Sequence, residues 1–285
     1  MSSNSNYNSF STNTGNMGFN FWESNTLVAK FAFLLVIVFG FIILLQFGIS
    51  VVSYFLAPDQ SPYLIDGMID AKNETLVFNQ DPSNNAAVTI YRSINETDGL
   101  EFTWSVWIYI NSLHYLEGQY KHIFHKGNSD LAENGLNFPN NAPGLYLAPN
   151  SNKLVVIMNT FNVINEEITI PNIPLNKWIN VILRCKNRTF DVYINGKIAR
   201  SLQLTSVPKQ NYGDVYVAMN GGFDGYVSNL RYFSNALGSS SIQNIANYGP
   251  STKLKGSGTS GTSIKDPDYL SLRWFFNNSY DMYNP

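Results

Sequence analysis

Apolar residues are distributed along this chain in two ways. Between Phe31 and Leu45 no side chain is polar, and the run continues to Leu56 diluted only by Gln46, Gly48, Ser50 and Ser53. At about 1.5 Å per residue the stretch 31–56 forms a helix about 39 Å long, against a bilayer hydrocarbon core of about 30 Å. The pattern therefore predicts a membrane-spanning helix over 27–57, closed by Pro58. A cleaved signal peptide fits less well, because no Lys or Arg precedes Lys30 and the run exceeds the usual ~7–15 apolar residues. Gly40 and Gly48 do not stand at the GxxxG spacing of a helix-pairing face. Lys30 lies before the span, while Asp59, Asp66 and Asp70 follow it. Positive charge on the N-terminal side predicts a cytoplasmic N-terminus and an outward or lumenal C-terminal domain.

Beyond residue 60 the period changes to two. Phe102, Trp104, Val106, Ile108 and Ile110 alternate with Thr103, Ser105, Trp107 and Tyr109, the signature of a strand with one buried face. Shorter strands are expected at 120–125, 144–147, 154–158 and 167–170. The segment 178–204 reads as a three-strand meander: Trp178 to Arg184, a turn at Asn187-Arg188, Phe190 to Ile194, then Lys197 to Leu204. Asn195-Gly196 supplies its second turn, since both residues accept positive φ. Strands at 215–219 and 225–232 follow, and only 239–248 reads as helix. Strands at this spacing predict an all-β antiparallel sandwich preceded by one transmembrane helix. The domain boundaries expected are a disordered Asn/Ser-rich arm over 1–26, the span over 27–57, a linker over 58–74 and the sandwich over 75–250. A flexible linker and aromatic tail occupy 251–285, with Tyr269 to Phe276 as the apolar part.

Composition narrows the chemistry. Eighteen Lys and Arg against 20 Asp and Glu give a net charge of −2, so no positive field exists to hold a phosphate backbone, and nucleic acid is excluded as a partner. The single cysteine, Cys185, excludes an intramolecular disulfide and a cysteine zinc cage, and its apolar strand context predicts a buried small hydrophobe. His122 and His125 stand three apart, an offset that on a regular strand places them on opposite faces and prevents a shared metal.

Four segments, in order, resemble the laminin G-like, concanavalin A-like jelly-roll family. Phe102-Thr-Trp-Ser-Val-Trp107 is similar to its opening strand, and Pro174-Leu-Asn-Lys-Trp178 with Ile179 to Leu183 to its Trp-then-apolar strand step. Phe190-Asp-Val-Tyr-Ile-Asn-Gly-Lys197 is similar to its tyrosine strand ending in a glycine turn. Gly222 to Tyr232, with Ala236-Leu237 and the helix to Tyr248, is similar to its closing strand and terminal helix. The resemblance covers about residues 75–250 and implies the jelly-roll sandwich. It is less specific for function, because the fold hosts lectins, adhesion modules, glycanases and structural domains. An anchored, Asn-rich module of this kind also resembles membrane or minor capsid proteins of large DNA viruses.

The resemblance raises two chemistries. Glycanases of this superfamily carry Glu-x-Asp-x-x-Glu, and Glu96-Thr-Asp98-Gly-Leu-Glu101 fits that string, but Asp98-Gly99 is a turn signal outside a strand, so no catalytic residue is assigned. Some laminin G-like domains bind calcium through Asp, Asn and carbonyl oxygens at the sandwich rim. Asp130 with Asn128, and Asp224, are the loop residues of that type here, although no ligand-dense Asp-x-Asp-x-Asp loop occurs and such residues also form turns. Tyr109, Tyr115, Tyr120 and Trp107 are aromatics that could stack on a sugar. Asn73, Asn95, Asn187 and Asn277 head N-glycosylation sequons. These readings expect a non-enzymatic, membrane-anchored recognition or structural module, without a cofactor other than calcium, whose partners are membrane lipid and protein neighbours in an assembly such as a virion membrane or capsid. The alternatives are a membrane-bound lectin that binds glycans and, third, a glycoside hydrolase.

Overall fold

The computed structural model describes residues 27–56, 59–84 and 86–255. The arm 1–26, the aromatic segment 269–276 and Asn277 lie outside the described residues. The chain divides into two compact units, Met1–Asp59 and Gln60–Pro285.

The first unit contains helix α1 (Leu27–Leu56), 30 residues with no acidic residue in its first turn and no basic residue in its last. Its apolar side chains are exposed around the whole circumference, with Phe31 63% and Ile43 67% exposed. A helix without a polar face cannot lie at a water-facing surface of a soluble domain. This one is long and apolar enough to cross a membrane or to serve as a signal sequence.

The second unit is built from twelve strands: β1 (Met68–Asp70), β2 (Leu76–Phe78), β3 (Glu101–Ile110), β4 (Lys121–Gly127), β5 (Gly144–Leu147), β6 (Lys153–Met158), β7 (Glu166–Pro171), β8 (Trp178–Lys186), β9 (Thr189–Ile194), β10 (Lys197–Gln203), β11 (Asp214–Val217) and β12 (Gly225–Phe233). They form two six-stranded antiparallel sheets, ordered β1-β12-β3-β8-β9-β10 and β2-β11-β4-β5-β6-β7. The alternation of β3 is realised: Phe102, Trp104, Val106, Ile108 and Ile110 are buried in the core between the sheets. Trp104 packs on Phe124 of β4 at 5.3 Å and on Tyr232 of β12 at 5.1 Å, so one side chain ties the two sheets together. Complete burial of such a ring contributes about 1.5–3 kcal/mol. Helix α2 (Ser239–Tyr248) covers part of the outer face of the first sheet, where Ile242 and Leu237 pack with Ile182 and Phe233. Asn195 and Gly196 both take positive φ, 49° and 77°, in the β9–β10 turn.

Two expectations at the edges of the sandwich are corrected. Residues 58–74 include β1 and the buried Leu64, Ile65 and Ile69, because Met68–Asp70 pairs antiparallel with Ser228–Tyr226 of β12 and needs an apolar face toward the core. Residues 251–255 are held on β1 and not loose: Met68 N–H donates to Lys253 O at 2.8 Å, and Lys255 N–H to Met68 O at 2.8 Å. Gly67 is required there, since a Cβ would press on the Lys253 carbonyl at 2.9 Å.

Strand polarity defines two ends. At one end β12, β8, β10, β4 and β6 finish and β3, β9, β11, β5 and β7 begin, as the pairs Thr103–Phe233, Lys186–Thr189, Gly127–Asp214 and Met158–Glu166 show. We call it the near end, because the chain joins the sandwich there: Ser234 N–H donates to Gln60 O and Tyr232 N–H to Pro62 O, both at 3.1 Å. The loops 159–165 and 204–213 lie at the near end with both limbs of 128–143, whose middle runs to the far end, where Tyr120 N–H donates to Asn134 O at 2.8 Å. The loops 111–120, 148–152, 172–177 and 218–224 lie at the far end.

Candidate ligand-binding cleft

The near-end loops converge because backbone segments approach there with no room for side chains. A Cβ on Gly213 would collide with the Gly127 carbonyl, and one on Gly127 with the Asn140 carbonyl. Glycine at both positions lets three segments stack, and between them opens a cleft of about 320 Å³ lined by Gly127, Asn128, Ser129, Asn140, Asn211, Gly213, Asp214 and Tyr216.

Buried asparagines pin the cleft walls. Asn137 donates through Nδ2 to the carbonyls of Asn128, at 2.7 Å, and Asp130. Asn141 donates to Asn137 O at 2.8 Å and accepts from the Tyr146 hydroxyl at 2.6 Å. Asn159 donates to Pro139 O at 2.8 Å and to Ile164 O, and its Oδ1 accepts from Asn141 N–H. Asn137, Asn141 and Asn159 are all buried. Each short amide presents a donor and an acceptor together, which is what irregular backbone needs inside a protein.

A histidine pair lies behind Tyr216 and Asn128, and it corrects the expectation of opposite faces. The β4–β5 register slips between His122 and Phe124, and this bulge turns both imidazoles to one side. His122 Nε2 lies 2.6 Å from His125 Nδ1. Met219 N–H donates to His122 Nδ1 at 3.1 Å, and His125 Nε2 lies 2.9 Å from the Asn128 carbonyl. A backbone N–H only donates and a carbonyl only accepts, so both rings are neutral and carry the proton on Nε2. The chain of donors runs one way, from Met219 through both rings to Asn128. Burial, with His125 beside it, holds His122 well below the ordinary imidazole range. Burial pushes His125 down to about 4, opposed by the Asn128 carbonyl. His125 also stacks on Tyr216, centroids 5.0 Å apart at 9°, which fixes the tyrosine at the cleft wall. Burial, with Asp214 and Asp130 nearby, raises the Tyr216 phenol, so it stays a neutral hydroxyl.

One residue lining this cleft, Asn128, carries a buried oxygen without a donor. Among the described residues, the buried side-chain oxygens lacking a hydrogen bond are those of Asn128, Asn137, Asn165, Asn180 and Gln210. All but Asn180 belong to the near-end loops. Asn128 cannot turn its amide to escape, because Nδ2 already donates to Asp130 Oδ2 at 2.5 Å and to Phe138 O at 3.2 Å. A buried acceptor left unpaired costs about 1–3 kcal/mol.

The residues singled out from sequence separate. Asn128 and Asp130 meet in one loop, whereas Asp224 lies past the opposite end of β11, where it accepts from Asn111 Nδ2 at 3.2 Å. The three do not come together, and no group of three or more His, Cys, Asp or Glu able to hold a metal exists among the described residues. In the Glu96–Glu101 string, Asp98 pairs with Lys186 at 2.7 Å, and the buried Glu101 accepts from Ala236 N–H at 2.9 Å, so these carboxylates hold loops in place. Trp107 is buried, and Tyr109 is packed between Trp178 and Tyr226 on the outer face of the first sheet. Asn73 is exposed at the far end, and Asn95 and Asn187 are exposed at the near end. Cys185 is fully buried and its thiol is pushed up to about 12 by burial. The sequence reading missed Asn211, Gly213, Asp214 and Tyr216. Their signal was the turn string Asn211-Tyr-Gly-Asp214 ahead of a strand, matching Gly127-Asn-Ser-Asp130 after one.

A second cleft of about 390 Å³ opens at the far end, lined by residues that include Asn111, His114, Glu117, Asn150, Asn152 and Leu175. No buried oxygen lacking a hydrogen bond lies on its loops among the described residues.

Residues 82–243, more than half of the chain, match the laminin G-type family model described as the Concanavalin A-like lectin/glucanases superfamily. The chain belongs to this superfamily. Among solved structures it is similar to the botulinum neurotoxin serotype D binding domain, with 15% identity and a TM-score of 0.45 over 64% of this chain and 41% of that one. It is also similar to the receptor binding domain of botulinum neurotoxin mosaic serotype C/D, with 12% identity and a TM-score of 0.47 over 66% of this chain and 46% of that one. The chain thus spans less than half the length of these structures. No curated protein matches it.

Proposed function

We propose that this chain is a membrane-tethered, non-enzymatic recognition module, and that its near-end cleft takes a hydroxyl-rich ligand, a glycan. Helix α1 is the tether, with the N-terminus cytoplasmic and the sandwich outside. The observation that carries the ligand class is the donor-less oxygen of Asn128 beside an aromatic wall, Tyr216, in a cleft otherwise lined by Asn140, Asn211, Ser129 and Asp214. Sugar hydroxyls donate to such oxygens, while the C–H face of a pyranose packs on an aromatic ring. The carboxylates of Glu101 and Glu166 are occupied by backbone and hydroxyl donors, which supports binding over glycoside cleavage. Asn128 and Asp130 are the residues that would touch a calcium ion bridging to the sugar.

The test is a glycan array probed with the full chain in lipid nanodiscs, with and without calcium and a chelator. The reading expects saturable binding that Tyr216→Ala weakens. Absence of any glycan signal, together with cross-links from Lys253 and Lys255 to fixed protein neighbours in the native membrane or particle, would replace it with the assembly role.

A further inference from the structure

The wall of the near-end cleft spends its donors on the protein itself. Asn211 donates through Nδ2 to Lys126 O at 3.1 Å, and its Oδ1 accepts from Gly213 N–H at 3.0 Å. The Nδ2 of Asn128 donates to Asp130 Oδ2 and Phe138 O, and its Oδ1 has no donor. The buried Lys126 commits its ammonium to Gly213 O at 2.6 Å.

Negative charge is added to this wall. Asp214 lines the cleft, and its Oδ1 accepts from Gln80 N–H at 2.9 Å. A carboxylate has about four lone-pair sites, so one backbone donor fills only part of its capacity. Asp130 stands on the loop that carries Asn128, and both carboxylates reach Tyr216, whose phenol they help burial to raise. Among the described residues that line the cleft, none is Lys or Arg.

Ligand groups match such a wall unequally. A sugar hydroxyl donates and accepts, so only part of its capacity is used. A sialic acid or sulfated sugar brings a second negative charge beside Asp214 with no cation lining the cleft, and like charges placed together cost affinity. An ammonium has three donors, no acceptor and a positive charge. Its hydrogen bond to a carboxylate is charge-assisted and stronger than that of a hydroxyl.

We infer that the cleft selects a glycan bearing a free ammonium, an amino sugar, and that Asp214 sets this preference. The inference rests on the glycan reading above and narrows it to one class of sugar.

The experiment is calorimetric titration of the full chain in phosphatidylcholine nanodiscs, with a chelator, at about pH 6, where an α-amine is protonated. The probes are a glucosamine oligomer, the same oligomer N-acetylated, a sialylated lactose and a lysine peptide. The glucosamine oligomer is expected to bind at least about tenfold tighter than each of the others. Raising salt to about 0.5 M should shrink that margin. Asp214→Asn keeps an oxygen for Gln80 N–H and should reduce the margin over the acetylated oligomer to about twofold or less, while Glu117→Gln at the far end retains it. Equal or tighter binding of the acetylated or sialylated probe, or a margin that persists in Asp214→Asn, overturns the inference and leaves the glycan reading standing. A lysine peptide that binds as tightly as the amino sugar overturns the sugar as the source of the ammonium. Silence of all four probes overturns the inference, and a blank glycan array beside it removes the glycan reading too.

Discussion

The near and far ends of the sandwich use the same loop chemistry to opposite effect. At the far end, amides close their own loops: Asn152 donates to Ile173 O at 2.7 Å and accepts from Ile173 N–H at 3.1 Å, which leaves neither side of the amide wanting. At the near end, Asn128 and Asn137 spend their donors on backbone carbonyls and bury their acceptors unpaired. Unpaired buried acceptors cost stability, and folding alone does not explain them. Four of the five such oxygens among the described residues belong to the near-end loops, so the far end serves as the comparison for the proposed binding role.

Substitutions at the two ends sharpen the contrast. The largest effect is expected from Gly213→Ala, where a Cβ meets the Gly127 carbonyl and backbone must move. A loss of more than about 4 kcal/mol in urea unfolding is expected, against about 1 kcal/mol for Gly118→Ala at the far end, where φ is +84° but the space is open. Next comes acid. His125 titrates near 4 when folded and near 6.5 when unfolded, so the unfolded chain takes up protons first as pH falls. Stability is complete above about pH 6.5 and declines toward pH 4, by about 3 kcal/mol from this group. The paired variant His122→Gln with His125→Gln should flatten that part of the pH profile, and an unchanged slope would assign the acid sensitivity to carboxylates. Asn137→Ala should cost about 2–3 kcal/mol by freeing the Asn128 and Asp130 carbonyls, against about 1 kcal/mol for the half-buried Asn152→Ala. The smallest effect on stability and the clearest on ligand is Tyr216→Ala, which should weaken glycan binding about tenfold while Leu175→Ala leaves it unchanged.

Much of the fold was legible because its strands are long enough to show a period. Alternation in β3, the Asn195-Gly196 turn and the apolar run of α1 each follow from local stereochemistry, and the structure places strands and helices accordingly. β1 and β2 were not legible, because three residues cannot display alternation. The cleft was half legible. Asn128 and Asp130 follow β4 in sequence, but Asp214 and Tyr216 reach them only through the β4–β11 pairing, which no local pattern announces. The histidine pair was misread for a related reason: counting by twos assumes a regular strand, and a bulge changes the count.

Hydrogen–deuterium exchange of the full chain in nanodiscs, with and without a glycan selected on the array, tests the central claim most directly. The account predicts added protection in 127–130 and 210–216, with 111–117 and 149–152 unchanged. Protection confined to the far-end segments would contradict it.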